Sequence, residues 1–155
     1  MLYIKNTSEN KTFYATAQSA GFDISSTEEG LLDPGEYRAF STGLYIDVGR
    51  GQMSPPGYVP ELQIRSRSGL AFKNGIAVLA FKNDIAVLNE PGTIDADYPN
   101  EIKVILINHG KQPFLVEKGM RIAQGVVALT VRAEGDVDVK DTVRTGGFGS
   151  TGSKQ

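Results

Sequence analysis

The sequence predicts an all-β fold, either a sandwich or a barrel, and two observations support that prediction. The 155 residues include 18 glycines and seven prolines, which divide the chain into short apolar runs. No stretch shows the sustained helical repeat of a long amphipathic helix. Short strands separated by Gly- and Pro-rich turns are typical of β-sandwiches and β-barrels. A single domain of this length can bury a core without disulfide bonds.

The N-terminal half predicts four short strands joined by turns. Residues 1–18 suggest an edge strand followed by a polar connection, and a strand begins within Ala20–Ile24. A turn is expected at Asp33–Glu36, where Asp, Pro and Gly follow one another. Further strands are indicated at Gly43–Val48, whose apolar residues alternate, and at Tyr58–Ile64.

The C-terminal half centres on a predicted hairpin, LNEPGTIDADY at Leu88–Tyr98. A short strand, Ile85–Leu88, runs into Asn89–Gly92, where Pro followed by Gly is typical of a type II turn. The most apolar segment, Ile102–Asn108, is expected to be a strand buried on both faces. The remaining predicted elements are a turn at Gly110–Pro113, a strand at Phe114–Val116 and a strand from Arg121 to Val131.

The composition excludes several kinds of chemistry. Without cysteine there is neither a thiolate nucleophile nor a Cys-ligated zinc site. A Ser-His-Asp triad would depend on the single histidine, His109, whose position before Gly110 is typical of a turn. Catalysis would therefore use carboxylates, Arg or Lys, backbone amides and a hard metal ion. The net charge of −2 and the lack of a long apolar run predict neither a nucleic-acid nor a membrane partner, and the cytoplasm is the default location.

Two stretches could bind or cover an anion. Ser68 is a plausible N-cap for a short helical turn over Leu70–Lys73, and free amides there, beside Arg65 and Arg67, would suit an anion. A solvated basic turn is an equally good interpretation. The C-terminal RTGGFGSTG, Arg144–Gly152, is either a bland flexible tail or a lid that closes over an anionic ligand.

Between these stretches lies a tandem repeat. Residues 70–78 (LAFKNGIAV) and 79–87 (LAFKNDIAV) differ only at Gly75 and Asp84. One duplication does not make a solenoid, which needs at least about three repeats. We interpret it as a local insertion whose surplus residues bulge, because loops accept added length at modest entropic cost.

Other polar residues leave two interpretations open. Asp95, Asp97 and Tyr98 at the exit of the hairpin could be an ordinary acidic surface or part of a site. Arg121 and Gln124 in the last strand could be core hydrogen-bonding groups or ligand contacts.

In their order along the chain, these stretches resemble the five motifs of the trimeric dUTP pyrophosphatases (dUTPases). The matching segments are Ala20–Ile24 (AGFDI), Arg67–Ala71 (RSGLA), Gly92–Tyr98 (GTIDADY) with Asn89 before it, Gly119–Gln124 (GMRIAQ) and Gly146–Gly152 (GGFGSTG). The resemblance implies a distorted jelly-roll β-sandwich or barrel over residues 1–142 and a flexible Gly-rich lid at 143–155. It also implies a homotrimer with shared active sites, in which the tail of one subunit closes a neighbour's site.

The resemblance further implies hydrolysis of dUTP to dUMP and pyrophosphate, which keeps uracil out of DNA and supplies dUMP for dTTP synthesis. Asp95 would be the general base for water attack on the α-phosphorus. Asp23 would act through water on Mg²⁺, the implied cofactor, which the triphosphate itself would hold. Tyr98 would pack on the deoxyribose and Phe148 on the base. The other implied substrate contacts are Arg67, Ser68, Gly69, Gln124 and Arg144 for phosphate, the main chain at Asn89, Gly92, Thr93 and Ile94 for uracil, and Gly149, Ser150 and Thr151 for the β/γ-phosphates.

Two alternatives remain open at this point. A dCTP deaminase shares the fold but would use a catalytic Glu, which matches the hairpin less well. A nucleotide-dependent regulatory binding protein is favoured only by the tandem repeat.

Overall fold

The computed structural model describes residues 2–48, 54–67, 85–133, 135 and 146–147, and within these it contains ten β-strands and no α-helix. The strands are β1 (Ile4–Asn6), β2 (Gly21–Ser25), β3 (Gly30–Leu32), β4 (Tyr37–Ile46), β5 (Tyr58–Arg65), β6 (Ile85–Val87), β7 (Gly92–Asp95), β8 (Glu101–Asn108), β9 (Phe114–Val116) and β10 (Arg121–Val131). The all-β prediction is confirmed. In this part of the chain, no helix has the length and apolar character needed to cross a bilayer.

The strands form two four-stranded sheets and one two-stranded sheet, all with antiparallel pairing. The first sheet has the order β1-β4-β8-β6, the second β2-β10-β5-β7, and the third pairs β3 with β9. Buried apolar side chains from all three sheets belong to one core cluster, as expected for a sandwich. Its fully buried members include Phe40 and Val104 from the first sheet, Ile24 and Leu62 from the second, and Val116 from the third.

Several predicted elements match the structure closely. The strands at β5, β9 and β10 begin and end within one residue of the prediction, and β2 begins at Gly21, inside the segment where a strand start was predicted. The turn at Asp33–Glu36 is also present, because the N–H of Glu36 donates to the carbonyl of Asp33 at 2.9 Å.

β4 begins at Tyr37, six residues before the predicted strand start at Gly43. A β-bulge interrupts the alternation of apolar residues inside this strand, so the sequence pattern shows only its second half. Gly43 lies in the bulge with φ of 70°, a conformation that favours glycine. Glu101 stabilises the bulge, because its Oε1 accepts the N–H of Thr42 at 3.0 Å and that of Gly43 at 2.8 Å.

β8 is a strand, but the prediction that both its faces are buried is wrong. Ile102, Val104 and Leu106 are fully buried, whereas the intervening Lys103 and Ile105 are only half-buried. The strand packs one face into the core, and its other face borders a pocket described below. An apolar run in sequence therefore does not require two covered faces.

Candidate active site

β5 positions the predicted site residues, because it lies between β10 and β7 in the second sheet. Its register places Gln124 opposite Arg65 near one end and Asp95 opposite Glu61 towards the other. The register between β10 and β2 places Asp23 beside Gln124. The sheet thus carries two separate groups of predicted residues on one face.

The first group is an arginine cluster formed by Asp23, Arg67 and Arg121. Arg67 Nε donates to Asp23 Oδ1 at 2.8 Å, and Arg121 Nη1 donates to Asp23 Oδ2 at 2.9 Å. Arg67 Nη1 also donates to the carbonyl of Arg121 at 3.2 Å. The Asp23 side chain is 13% exposed, against 24% for Arg67 and 49% for Arg121. Two guanidinium groups around one carboxylate leave an excess positive charge that suits an anionic ligand.

Gln124, a predicted phosphate contact, makes a structural hydrogen bond. Its Nε2 donates to the carbonyl of Ser66 at 2.9 Å, immediately before Arg67. This bond ties β10 to the segment that follows β5. The sequence left open whether Arg121 and Gln124 bind within the protein or contact a ligand. In the structure, both side chains donate hydrogen bonds to other residues of the protein.

The predicted turn between β6 and β7 is present, but the predicted hairpin is wrong, because β6 pairs with β8 in the first sheet and β7 pairs with β5 in the second. The segment Leu88–Tyr98 therefore crosses from one sheet to the other, and below we use the word hairpin only as a name for it. The predicted type II turn is also wrong. The Glu90–Pro91 peptide bond is cis, and Gly92 does not adopt positive φ. Gly92 is instead the first residue of β7 and pairs with Ile64, which requires an extended backbone. The side chain of Asn89 lies against Gly92, where an added Cβ would approach Asn89 Nδ2 to 3.2 Å.

A pocket of about 180 Å³ lies between this hairpin and β8, and we call it the base pocket. Its lining residues are Ile64, Asn89, Gly92, Thr93, Ile94, Tyr98, Lys103, Ile105 and Gly147. The structure therefore brings together all the hairpin residues predicted to contact substrate. The sequence prediction missed Ile64, Lys103 and Ile105, which come from other strands and resemble ordinary strand residues. The sequence did contain one signal, because Lys103 is the only charged residue in the otherwise apolar run Ile102–Ile107.

Gly147 of the C-terminal motif lies directly on the ring of Tyr98 in the same chain. A Cβ added to Gly147 would approach Tyr98 Cε2 to 2.5 Å, so a larger residue could not take this position without displacing the ring. Tyr98 itself is only 5% exposed. The glycine at this position thus allows the tail to contact the base pocket closely.

Asp95 does not line the base pocket. It faces a second cavity of about 470 Å³, together with Glu61, Asp97 and Arg132. Asp95 is level with Glu61 of β5, and Asp23 is level with Arg65, four residues further along that strand. At the usual rise per residue, this is about 13 Å along the strand direction. The strands that carry Asp95 and Asp23 are three positions apart, which adds a sideways offset of about 14 Å. One chain therefore holds Asp95 and the arginine cluster too far apart to act on the same phosphorus.

Some predicted residues lie outside the described part of the chain. These are Ser68, Gly69, Arg144, Phe148, Gly149, Ser150 and Thr151, together with the predicted helical turn at Leu70–Lys73, all of the first repeat copy and most of the second. The predicted lid at 143–155 also lies outside it, apart from Gly146 and Gly147.

The described residues do not form a ready-made metal centre. They contain no cluster of three His, Cys, Asp or Glu side chains able to hold an ion. Both oxygens of Asp23 already accept hydrogen bonds from arginines. Carboxylate oxygens keep additional lone pairs, so Asp23 can still accept a bond from a water molecule. This donor set fits an ion that arrives with a triphosphate better than an ion held by the protein.

Comparisons with known proteins identify the family. The dUTPase family model matches residues 10–152. The deoxyuridine 5'-triphosphate nucleotidohydrolase of Nautilia profundicola is 47% identical over 142 residues, which cover 90% of this chain and 88% of the relative. The enzyme of the same name from Rhizobium rhizogenes is 45% identical over 146 residues, with 90% and 83% covered. The chain belongs to the dUTPase family.

The fold of this dUTPase is shared with solved members of the family. A mutant of the Staphylococcus bacteriophage 80alpha dUTPase, determined with dUpNHpp, is similar with a TM-score of 0.65 and 25% sequence identity. The similarity covers 98% of this chain and 98% of the phage chain. The jelly-roll prediction is confirmed, and the open sheets make the fold a sandwich rather than a closed barrel.

Proposed function

We propose that this dUTPase hydrolyses dUTP to dUMP and pyrophosphate, with uracil and deoxyribose bound in the base pocket. The observation that carries the proposal is the gathering of Asn89, Gly92, Thr93, Ile94 and Tyr98 around one pocket against Gly147. The family match and the names of the curated relatives support the same substrate. They favour this reaction over the deaminase alternative.

Asp95 is the proposed general base. It accepts a proton from a water molecule whose oxygen attacks the α-phosphorus, and the bond from that phosphorus to the bridging oxygen breaks. Pyrophosphate leaves with the electron pair, and dUMP remains. A carboxylate suits this step, because phosphoryl-type transfer depends more on positioning and charge neutralisation than on a strong base.

The base pocket explains the proposed choice of substrate. The main chain of the hairpin presents amide and carbonyl groups to the edge of uracil, and cytosine would leave some of them unpaired. The nearly buried Tyr98 packs on the sugar, where a ribose 2′-hydroxyl would need space. The hairpin thus selects both base and sugar.

A complete site in this proposal needs a second copy of the chain. Asp95 and the arginine cluster stand roughly 20 Å apart in one chain by strand geometry. Apolar side chains also remain exposed along the end of β10, with Val127 at 37%, Leu129 at 51% and Val131 at 66%. Exposed apolar rows of this kind are typical of subunit interfaces. Both features support a homotrimer with shared sites.

Magnesium and the tail complete the proposal. Mg²⁺ would arrive with the triphosphate and supply neutralisation of its negative charge, and Asp23 would hold the surrounding water. Ser68, Gly69, Gln124 and Arg144 would contribute phosphate contacts. Phe148, Gly149 and Ser150 would cover the nucleotide as the tail closes. The cytoplasm, where nucleotides are made, is the proposed location.

A hydrolysis panel tests this function. Purified protein is incubated with dUTP, dCTP, dTTP and UTP, with Mg²⁺ or with EDTA, and release of pyrophosphate and of ammonia is measured. Pyrophosphate from dUTP alone, lost in EDTA, is the expected result. Ammonia from dCTP would instead identify a deaminase, and no product from any nucleotide would refute the proposal.

A further inference from the structure

We propose that Glu90 and Ser66 are a positioning pair that fixes the base pocket relative to the arginine cluster, and so sets the affinity for the complete nucleotide. This inference rests on the proposed function. Neither residue belongs to the motifs that the sequence predicts to contact substrate. The two are 24 positions apart and meet between the hairpin and the end of β5.

Glu90 binds Ser66 through both carboxylate oxygens. Its Oε1 accepts the N–H of Ser66 at 3.0 Å, and its Oε2 accepts the hydroxyl of Ser66. Hydrogen bonds to a charged acceptor are stronger than neutral ones, and two together define direction as well as distance. The turn of the hairpin is therefore tied to one residue outside it.

Ser66 is in turn held from two other sides. Its Oγ accepts the N–H of Val87 at 3.2 Å, and its carbonyl accepts Gln124 Nε2 at 2.9 Å. The backbone N–H, hydroxyl and carbonyl of Ser66 thus connect the hairpin turn, β6 and β10. Arg67, which carries the ion pair to Asp23, is the next residue. A shift of Ser66 would therefore move the arginine cluster relative to the hairpin.

The hydrogen bonds between Ser66 and Glu90 join two segments that are far apart along the chain. The tandem repeat occupies residues 70–87, so the covalent connection between Ser66 and the hairpin is long. Longer connections constrain their ends less, although the entropic cost of closing them grows slowly. Direct hydrogen bonds from Ser66 to Val87 and Glu90 restore the constraint irrespective of the path in between.

The predicted consequence concerns binding more than folding. Glu90 is exposed, and exposed charged contacts contribute little to global stability. Positioning errors of an ångström can nevertheless cost about a hundredfold in rate. A ligand with two linked parts also loses affinity when the geometry prevents both parts from binding together. In the proposed trimer, the base pocket and the arginine cluster of one chain serve neighbouring sites. A shift between them within each chain would therefore change, by symmetry, the spacing between the two halves of every site.

Three ligands separate positioning from a general loss of structure. The imido analogue of dUTP should engage both the base pocket and the arginine cluster, deoxyuridine only the base pocket, and pyrophosphate only the arginine cluster. We expect Glu90→Ala to raise the Kd of the imido analogue about tenfold while the Kd of each fragment changes less than about twofold. Glu90→Gln should show a smaller loss, because the amide oxygen can still accept the N–H of Ser66 and the amide nitrogen can donate to Ser66 Oγ.

Glu36 supplies a matched control. Its carboxylate accepts the N–H of Asp33 at 2.8 Å in an exposed turn outside the site, so Glu36→Ala removes a similar bond elsewhere. Binding is measured by calorimetry, with fragments as competitors, and Tm by scanning calorimetry. An equal loss for all three ligands, or unchanged affinity for the analogue, would overturn the positioning role. If the wild-type protein itself failed to bind the analogue, the proposed function would fall, and this inference with it.

Discussion

The base pocket and the arginine cluster are assembled over different distances along the chain. Five lining residues of the base pocket lie within Asn89–Tyr98, so one short segment supplies more than half of the lining. The arginine cluster joins Asp23 to Arg67 across 44 positions and to Arg121 across 98. If the proposed function holds, a short motif specifies base recognition locally, whereas phosphate recognition depends on the register of the whole second sheet.

Substitution of Asp95 is expected to have the largest effect. Asp95 belongs to the hairpin, yet within one chain it lines neither the base pocket nor the arginine cluster. We expect Asp95→Asn to lower kcat by about 10³-fold, within the usual range for loss of a general base. The Kd of the imido analogue should change by less than about threefold, because the amide keeps the shape of the side chain. Steady-state kinetics and calorimetry measure the two quantities. Turnover near that of the wild type would show that another group activates the water.

Mixed oligomers test whether the two regions of one chain serve different sites. Asp95→Asn and Arg67→Ala chains are denatured together, refolded and assayed with dUTP. A site is intact only when its hairpin comes from the second variant and its arginine cluster from the first. Random association should therefore restore about a quarter of the wild-type activity. Each variant refolded alone is the control and should stay inactive, and failure of the mixture would indicate sites built within single chains.

Asp23→Asn addresses the cluster alone. Without the carboxylate, Arg67 and Arg121 lose their shared partner and repel each other, so we expect KM for dUTP to rise about tenfold. Glu28→Gln is the matched control, because its ion pair with Arg38 at 3.5 Å lies on the surface. Kinetics at low and moderate salt provide the measurement. An unchanged KM would mean that the cluster does not orient a phosphate-binding arginine.

The same contrast explains what could be predicted from the sequence. The acidic residues near Asp95 and most of the base pocket were predictable, because a short motif places them within one segment, although the turn type and the strand pairing of that segment were predicted wrongly. Arg121 remained ambiguous, because its partner Asp23 is far away along the chain and only the pairing of β2 with β10 brings them together. Lys103 was missed for a related reason, since it faces the pocket from a strand in the other sheet.

Long-range pairing also explains the errors in local structure. A Pro-Gly pair predicts a type II turn in isolation, but pairing with Ile64 makes Gly92 extended. In β4, the alternating pattern breaks at a bulge that Glu101 stabilises from another strand. Local propensity is overridden in both places by a partner that lies elsewhere in the sequence.

The smallest expected effect concerns the tandem repeat that precedes the hairpin. Deleting Leu79–Val87 leaves Ile76-Ala77-Val78 directly before Leu88, which reproduces the sequence of β6. The buried positions now held by Ile85 and Val87 would be filled by identical side chains, so core packing is preserved. We expect kcat/KM to change by less than about threefold, with a similar or slightly higher Tm because the connection is nine residues shorter.

The chain offers a matched partner for this deletion. Removing residues 70–78 instead gives a protein that differs from the first only in carrying Asp84 rather than Gly75 before the Ile-Ala-Val strand. Similar kinetics and Tm for both would show that either copy can supply β6. Loss of activity in both, with Tm unchanged, would show that the surplus residues belong to the active site. A loss in one alone would assign the effect to the single residue that distinguishes the copies.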